Sequence, residues 1–128
     1  MKTVLCHGCF DPFHYGHLLH LEAARKLGGR LVVSVTSDAH VNKGPRRPVF
    51  TDSKRAAVIR ALRIVDAVIV SDSAQDAIFA TRPDIYCKGV DYIETYLPER
   101  EIVEAIGGKV MFTTTDKYSS TELLCAFS

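Results

Sequence analysis

The chain has 128 residues, 47% of them hydrophobic, which suits one domain with a single core and leaves little room for a second. Lys and Arg number 16 and Asp and Glu 15, so the net charge is only +1; that balance excludes broad, non-specific nucleic-acid binding but allows a local basic cleft around a small anion. No apolar run approaches the ~18 residues needed to cross a bilayer, and the segment from Met1 to His7 turns polar too early for a secretory signal, so a cytoplasmic protein is expected.

In chain order, short β-branched runs alternate with amphipathic stretches. Strands are predicted over 3–6, 31–36, 67–71, 85–88 and 109–113, each rich in Val and Ile as buried parallel strands are. The first helix is predicted over 17–27, with Leu18, Leu21 and Ala24 at helical spacing and Gly28-Gly29 as its stop. The second, over 53–65, carries Ala56, Ile59, Leu62 and Ile64 above a basic face. A third spans 74–81. A fourth opens at Pro98, a residue suited to the first helical turn, and stops at Gly107-Gly108; a short fifth covers 120–126. Strands separated by helices imply an α/β domain with crossover connections, a parallel sheet and helices on both faces. No linker, repeat or low-complexity segment interrupts it.

Four cysteines, Cys6, Cys9, Cys87 and Cys125, would then sit in a reducing compartment, where a disulfide framework is not expected. Cys6 and Cys9 form a C-x-x-C with His7 and His14 close by, which raises a zinc site. The second cysteine pair of a structural site is missing, so thiols packed near a strand end are the preferred reading.

Ligands of a parallel α/β sheet bind beyond the carboxyl ends of its strands. The polar, glycine-containing clusters of this chain, at 8–17, 37–51, 88–92 and 114–121, all follow directly on predicted strands. The first, Gly8-Cys9-Phe10-Asp11-Pro12-Phe13-His14-Tyr15-Gly16-His17, runs into a helix start, where free N–H groups and glycines that admit a close backbone approach favour phosphate. His14 and His17, three apart, lie on one side of that turn and can donate to phosphate oxygens. Taken alone, the pair reads better as a capped helix start with solvated rings.

This run resembles the G-x-F-D-x-x-H-x-G-H signature of the cytidylyltransferase-like nucleotidyltransferases. Six fixed positions arise by chance in roughly one chain of this size in a million, so the match is specific. The resemblance extends along nearly the whole chain. It places a mobile lysine loop after the second strand, which Lys43 best matches, with Arg46 or Arg47 as a second cation and Arg55 at a position the family also uses. Lys88-Gly89-Val90-Asp91-Tyr92 is similar to the K-G-x-D-Y element of sugar-phosphate members, above all the heptose-phosphate adenylyltransferases, in which Lys88 would hold an acceptor phosphate and Asp91 would accept from hydroxyls. Ser119-Ser120-Thr121 matches the element that opens the last helix against the triphosphate, although Ser119-x-x-Glu122 is also an ordinary capping box. Where glycerol-phosphate cytidylyltransferases carry an arginine about five residues before this serine, this chain has Thr114; either Lys117 substitutes for it or the chain belongs to the heptose-phosphate branch, which also lacks that arginine.

The resemblance implies a Rossmann-like three-layer sheet of order 3-2-1-4-5 and transfer of a nucleoside monophosphate from ATP or CTP to a sugar or polyol phosphate, with release of pyrophosphate. It implies His14, His17 and Lys43 as catalytic residues. Gly8, Cys9, Phe10, Asp11, Gly16, Arg46, Arg55, Lys88, Gly89, Asp91, Ser119, Ser120 and Thr121 would line the nucleotide. Mg²⁺ would travel with the triphosphate, with Asp11 as either its ligand or a brace of the loop, and the protein would act as a homodimer. His20, one turn beyond His17, reads as structural or exposed. The rival classes are a catalytically silent nucleotide sensor and a zinc-stabilised adaptor built on Cys6, Cys9 and a histidine; a dinucleotide dehydrogenase is disfavoured because no G-x-G-x-x-G follows the first strand.

Overall fold

The computed structural model describes residues 1–89 and 97–113. In these, five strands and four helices alternate: β1 (Thr3–Gly8), α1 (Tyr15–Arg25), β2 (Arg30–Thr36), α2 (Asp52–Arg60), β3 (Ala67–Ser71), α3 (Ala74–Thr81), β4 (Ile85–Gly89), α4 (Pro98–Ala105) and β5 (Lys109–Thr113). The strands form one sheet of order β3-β2-β1-β4-β5, every pairing parallel. This is the expected Rossmann-like order. The fifth helix predicted over 120–126 lies outside the described residues.

Strand residues alternate between two faces, and the alternation builds two cores. Val4 and Cys6 of β1 join Val33 and Val35 of β2 under Leu21 and Ala24 of α1 and Ala56 and Ile59 of α2. Leu5 and Val32 turn the other way and meet Ala77 and Ile78 of α3 and Val103 of α4, with Tyr86 of β4 between them. Truncating a fully buried aliphatic such as Leu5 to alanine costs about 2–5 kcal/mol at sites of this kind.

Element ends follow local chemistry. α1 begins two residues earlier than the pattern suggests because His14 caps it. α2 stops at Arg60, not near residue 65 as predicted. Leu62 and Val65 close tight turns onto the carbonyls of Ile59 and Leu62. The chain must then present Asp66, whose N–H donates to the Leu31 carbonyl and whose carboxylate accepts from the Leu31 N–H and from Arg25. That clip to β2 outweighs the apolar periodicity that favoured a longer helix. α4 starts on Pro98 and ends before Gly107, which takes φ +88° at little cost because it has no Cβ.

Candidate active site

The carboxyl ends of β1, β2 and β4 and the start of α1 converge on one edge of the sheet. Gly8 closes β1, and a Cβ there would stand 3.1 Å from the Phe10 ring. The buried Phe10 takes a left-handed φ of 52°, an uncommon conformation for a bulky residue, and its ring lies edge-on to His17 with centroids 5.0 Å apart. Phe13 flanks His17 on another side at 5.5 Å. His17 is therefore wedged by two aromatics as well as by the helix.

Hydrogen bonding fixes both imidazoles of the motif. The Gly16 N–H donates to His14 Nδ1 at 3.1 Å, and the His14 N–H donates to His17 Nδ1 at 3.2 Å. A backbone N–H can only donate, so each Nδ1 is an acceptor and each neutral ring carries its hydrogen on Nε2. Burial holds His14 below its ordinary pKa. Burial, together with the nearby charges of His14, His20 and Lys43, lowers His17 to about 3. Both rings are thus neutral Nε2–H donors at physiological pH. Capping and ligand donation are not rivals here, because they use opposite nitrogens of the same rings.

Asp11 is buried and takes three donors on its carboxylate: the N–H groups of Val49 and Phe50 at 2.6 and 2.9 Å and Arg47 Nε at 3.0 Å. Arg47 Nη2 also donates to the Asp11 carbonyl. Burial alone would raise this carboxyl, but the two backbone N–H groups and the guanidinium hold it below the ordinary carboxylate range. Of the two roles open to Asp11, the geometry matches the brace. It ties the signature loop to the segment after the lysine loop and does not fit a magnesium ligand.

Arg55, expected against the nucleotide, is interior, with 2% of its surface exposed. Its guanidinium donates to the carbonyls of Phe50, Cys9 and Thr36 and to Asp38 Oδ1 at 2.7–2.9 Å. Four of its five N–H groups are thereby committed to protein acceptors that join the signature loop, the end of β2 and the start of α2. Its place is structural. Asp38 and Asp52 complete this corner by accepting each other's backbone N–H.

Lys43 and Arg46 are exposed on the long loop after β2, Arg46 at φ 65° and Gly44 at φ 97°. The positive charge of Lys43 contributes to lowering the pKa of His17. Lys88, at the end of β4, is half-buried above the Tyr86 ring, and burial lowers its pKa. Gly89 faces open space and Gly16 is buried in the first turn of α1. Asp91, Ser119, Ser120 and Thr121 lie outside the described residues.

Two histidines that the motif does not contain also reach this edge. His7 bridges Ser34 Oγ at 2.9 Å and Thr36 Oγ1 at 3.3 Å on β2. His20 bonds Thr113 Oγ1 at 2.6 Å on β5 and is half-buried, as the structural reading of that residue had it. Burial and the charge of Lys88 lower each to about 4. Only the alternation of β1 and the i, i+3 step from His17 hinted at them. The C-x-x-C is not brought together as a metal site: Cys6 is in the core, whereas Cys9 donates to Thr36 Oγ1.

Comparison with known proteins bears on the family and the fold. Residues 5–124 match the cytidylyltransferase-like family. Curated relatives include the bifunctional protein HldE of Methylobacillus flagellatus, 46% identical over 85% of this chain, and that of Gluconobacter oxydans, 42% identical over 96%. The chain spans only about a quarter of these relatives, 23% and 26% of their lengths. Among solved structures, a lipopolysaccharide core biosynthesis protein of Thermoplasma volcanium superposes with a TM-score of 0.74 at 28% identity, over 93% of this chain and 99% of its own. No helix among the described residues is long and apolar enough to cross a membrane.

Proposed function

The chain belongs to the cytidylyltransferase-like family of nucleotidyltransferases, and from that premise we propose that it transfers a nucleoside monophosphate from a triphosphate to a sugar phosphate. An acceptor phosphate oxygen attacks the α-phosphorus in line, the new P–O bond forms as the bond to the β-phosphate oxygen breaks, and pyrophosphate leaves. No side-chain nucleophile is needed, so catalysis is positioning and charge stabilisation. ATP is the favoured donor and CTP the alternative. The K-G-x-D-Y element and the likeness to HldE proteins, which carry a heptose-1-phosphate adenylyltransferase activity, support ATP and a sugar-phosphate acceptor.

The observation that carries this reading is the pair of Nε2–H donors presented at the start of α1. Neutral rings held by backbone N–H groups can hydrogen-bond phosphate oxygens without reorienting as charge moves to the leaving group. Lys43 supplies the cation for repulsion between two approaching anions, since one unit charge pair at 4 Å is worth ~4 kcal/mol at an effective dielectric of 20. Mg²⁺ would arrive as the triphosphate complex. With Asp11 engaged as a brace, the signature loop offers that ion no free carboxylate, and no step here depends on one.

The test is pyrophosphate release from each of four nucleoside triphosphates against a panel of phosphorylated acceptors. A burst confined to ATP with a sugar 1-phosphate is the expected result. Release with CTP and a polyol phosphate would move the assignment to the other branch, and no release with any pair would overturn it.

A further inference from the structure

One layer below the imidazole pair, the sheet holds a second set of reactive side chains. Val4 pairs with Ile85 across β1 and β4, and two residues further along each strand stand Cys6 and Cys87, on the sheet face that α1 covers. α1 lays His20 over them. The two Sγ atoms and a ring nitrogen of His20 lie within 4.8 Å of one another. We propose that Cys6, Cys87 and His20 form a binding site for one thiophilic d¹⁰ cation, Zn²⁺ or Cu⁺.

The donor set is the soft S₂N combination that suits these ions and rejects Mg²⁺ and Ca²⁺, which need oxygen ligands. Zn–S and Zn–N bonds of ~2.3 and ~2.0 Å put ligand atoms roughly 3.6–3.8 Å apart in a tetrahedron, so closure needs movements of about 1 Å or less. Thr113 Oγ1 engages His20 Nδ1 at 2.6 Å, which leaves Nε2 as the metal-binding nitrogen and sets the ring plane as outer partners of histidine ligands do. Electrostatics agree. Two thiolates neutralise a divalent ion outright, and with Cu⁺ the residual negative charge lies beside Lys88, whose ammonium acts on Cys6. Without a cation, the hydrogen bond to Cys87 and burial push the Cys6 thiol well above its ordinary pKa. The Cys6 thiol is then an inert, protonated element of the core, and metal binding must release its proton. Three protein ligands leave a trigonal site for Cu⁺ or a fourth position for Zn²⁺. The inference is independent of the nucleotidyl-transfer reading.

The reduced, metal-free chain is titrated anaerobically with Co²⁺ as a spectroscopic substitute for zinc, and separately with Cu⁺ against a chromogenic cuprous chelator. Site formation gives an intense thiolate-to-metal charge-transfer band that saturates at one ion per chain. If the natural ion is zinc, Zn²⁺ bleaches the cobalt band; if copper, Cu⁺ alone is retained against the chelator. Cys87→Val and Cys6→Val, which conserve volume in the core, should abolish the band while far-ultraviolet circular dichroism and the thermal midpoint in EDTA stay near those of the parent. Cys9→Ser should leave the band intact. A silent titration with both metals, a band that survives Cys6→Val and Cys87→Val combined, or one lost in Cys9→Ser overturns the assignment.

Discussion

The rings of His14 and His17 stack with centroids 3.7 Å apart and planes 20° from parallel. This follows from their three-residue spacing at a helix start: His14 is the cap, His17 the third residue inside, and each holds a backbone N–H of the first turn. The capping box is normally made by Ser or Thr with Glu or Gln. Imidazoles in both places leave a second nitrogen on each side chain, which aligns two Nε2–H donors with the positive end of the helix.

The dual role can be separated by substitution. Asparagine is a good N-cap, so His14→Asn should keep equilibrium stability near the parent while removing the imidazole donor, whereas His14→Ala should lose both, with a cap cost of ~0.5–2 kcal/mol. Turnover in both variants, and in His17→Ala, is expected to fall at least ~100-fold, about 2.7 kcal/mol of transition-state stabilisation. Urea unfolding and pyrophosphate release, measured side by side, check this. Full activity in His14→Asn would reduce the pair to a helix cap.

The alternation of strands and helices was legible from periodicity, the sheet order from the family resemblance, and the pairing of His14 with His17 from their three-residue spacing in the signature. What spacing could not show is how a charged side chain is spent. Asp11, Arg47 and Arg55 are polar residues in or near motifs, which look alike whether they face a ligand or a carbonyl. Only the tertiary fold brings the Cys9 and Thr36 carbonyls to the Arg55 guanidinium. Likewise, Cys6 lies three residues from Cys9 in the chain but beside Cys87 in space, since strand pairing joins positions distant in sequence.

Arg55 therefore behaves as a buried cross-brace. Arg55→Met should cost at least ~3 kcal/mol, because Asp38 loses its cation and three carbonyls lose their donor. Arg55→Lys, with three donors on a different geometry, should recover only part of that. Denaturant unfolding measures the loss. If both variants are as stable as the parent but bind triphosphate weakly, Arg55 is a ligand contact after all.

Asp11 and Arg47 form an ion pair at 3.0 Å with side chains 0% and 6% exposed, and the pair anchors the far end of the lysine loop. Asp11→Asn leaves the guanidinium buried without its counter-charge and, because Val49 and Phe50 donate to different carboxylate oxygens, turns an amide donor toward one of these two backbone N–H groups. The expected loss is about 3–5 kcal/mol. Because the anchor fixes where Lys43 begins its reach, Kd for the triphosphate should rise in the fraction that remains folded. Calorimetric titration below the melting range tests this, and unchanged affinity would separate the anchor from the loop's function.

The imidazoles also set a pH dependence. His7 and His20 are lowered to about 4 and His17 to about 3, each chiefly by burial. In the unfolded chain these rings take up protons near pH ~6.5. Between that pH and the folded values, the unfolded state binds more protons, so stability rises with pH across this window. It should be complete above pH ~6.5 and erode as pH falls toward ~4, before carboxylates such as Asp11 add their own loss. His7→Asn keeps a polar partner for Ser34 and Thr36 and removes one titrating ring, so its stability should fall less steeply with acid than the parent's. Urea midpoints from pH ~7 to ~4.5 give both slopes, and a flat parent curve would mean these histidines are solvated and ordinary.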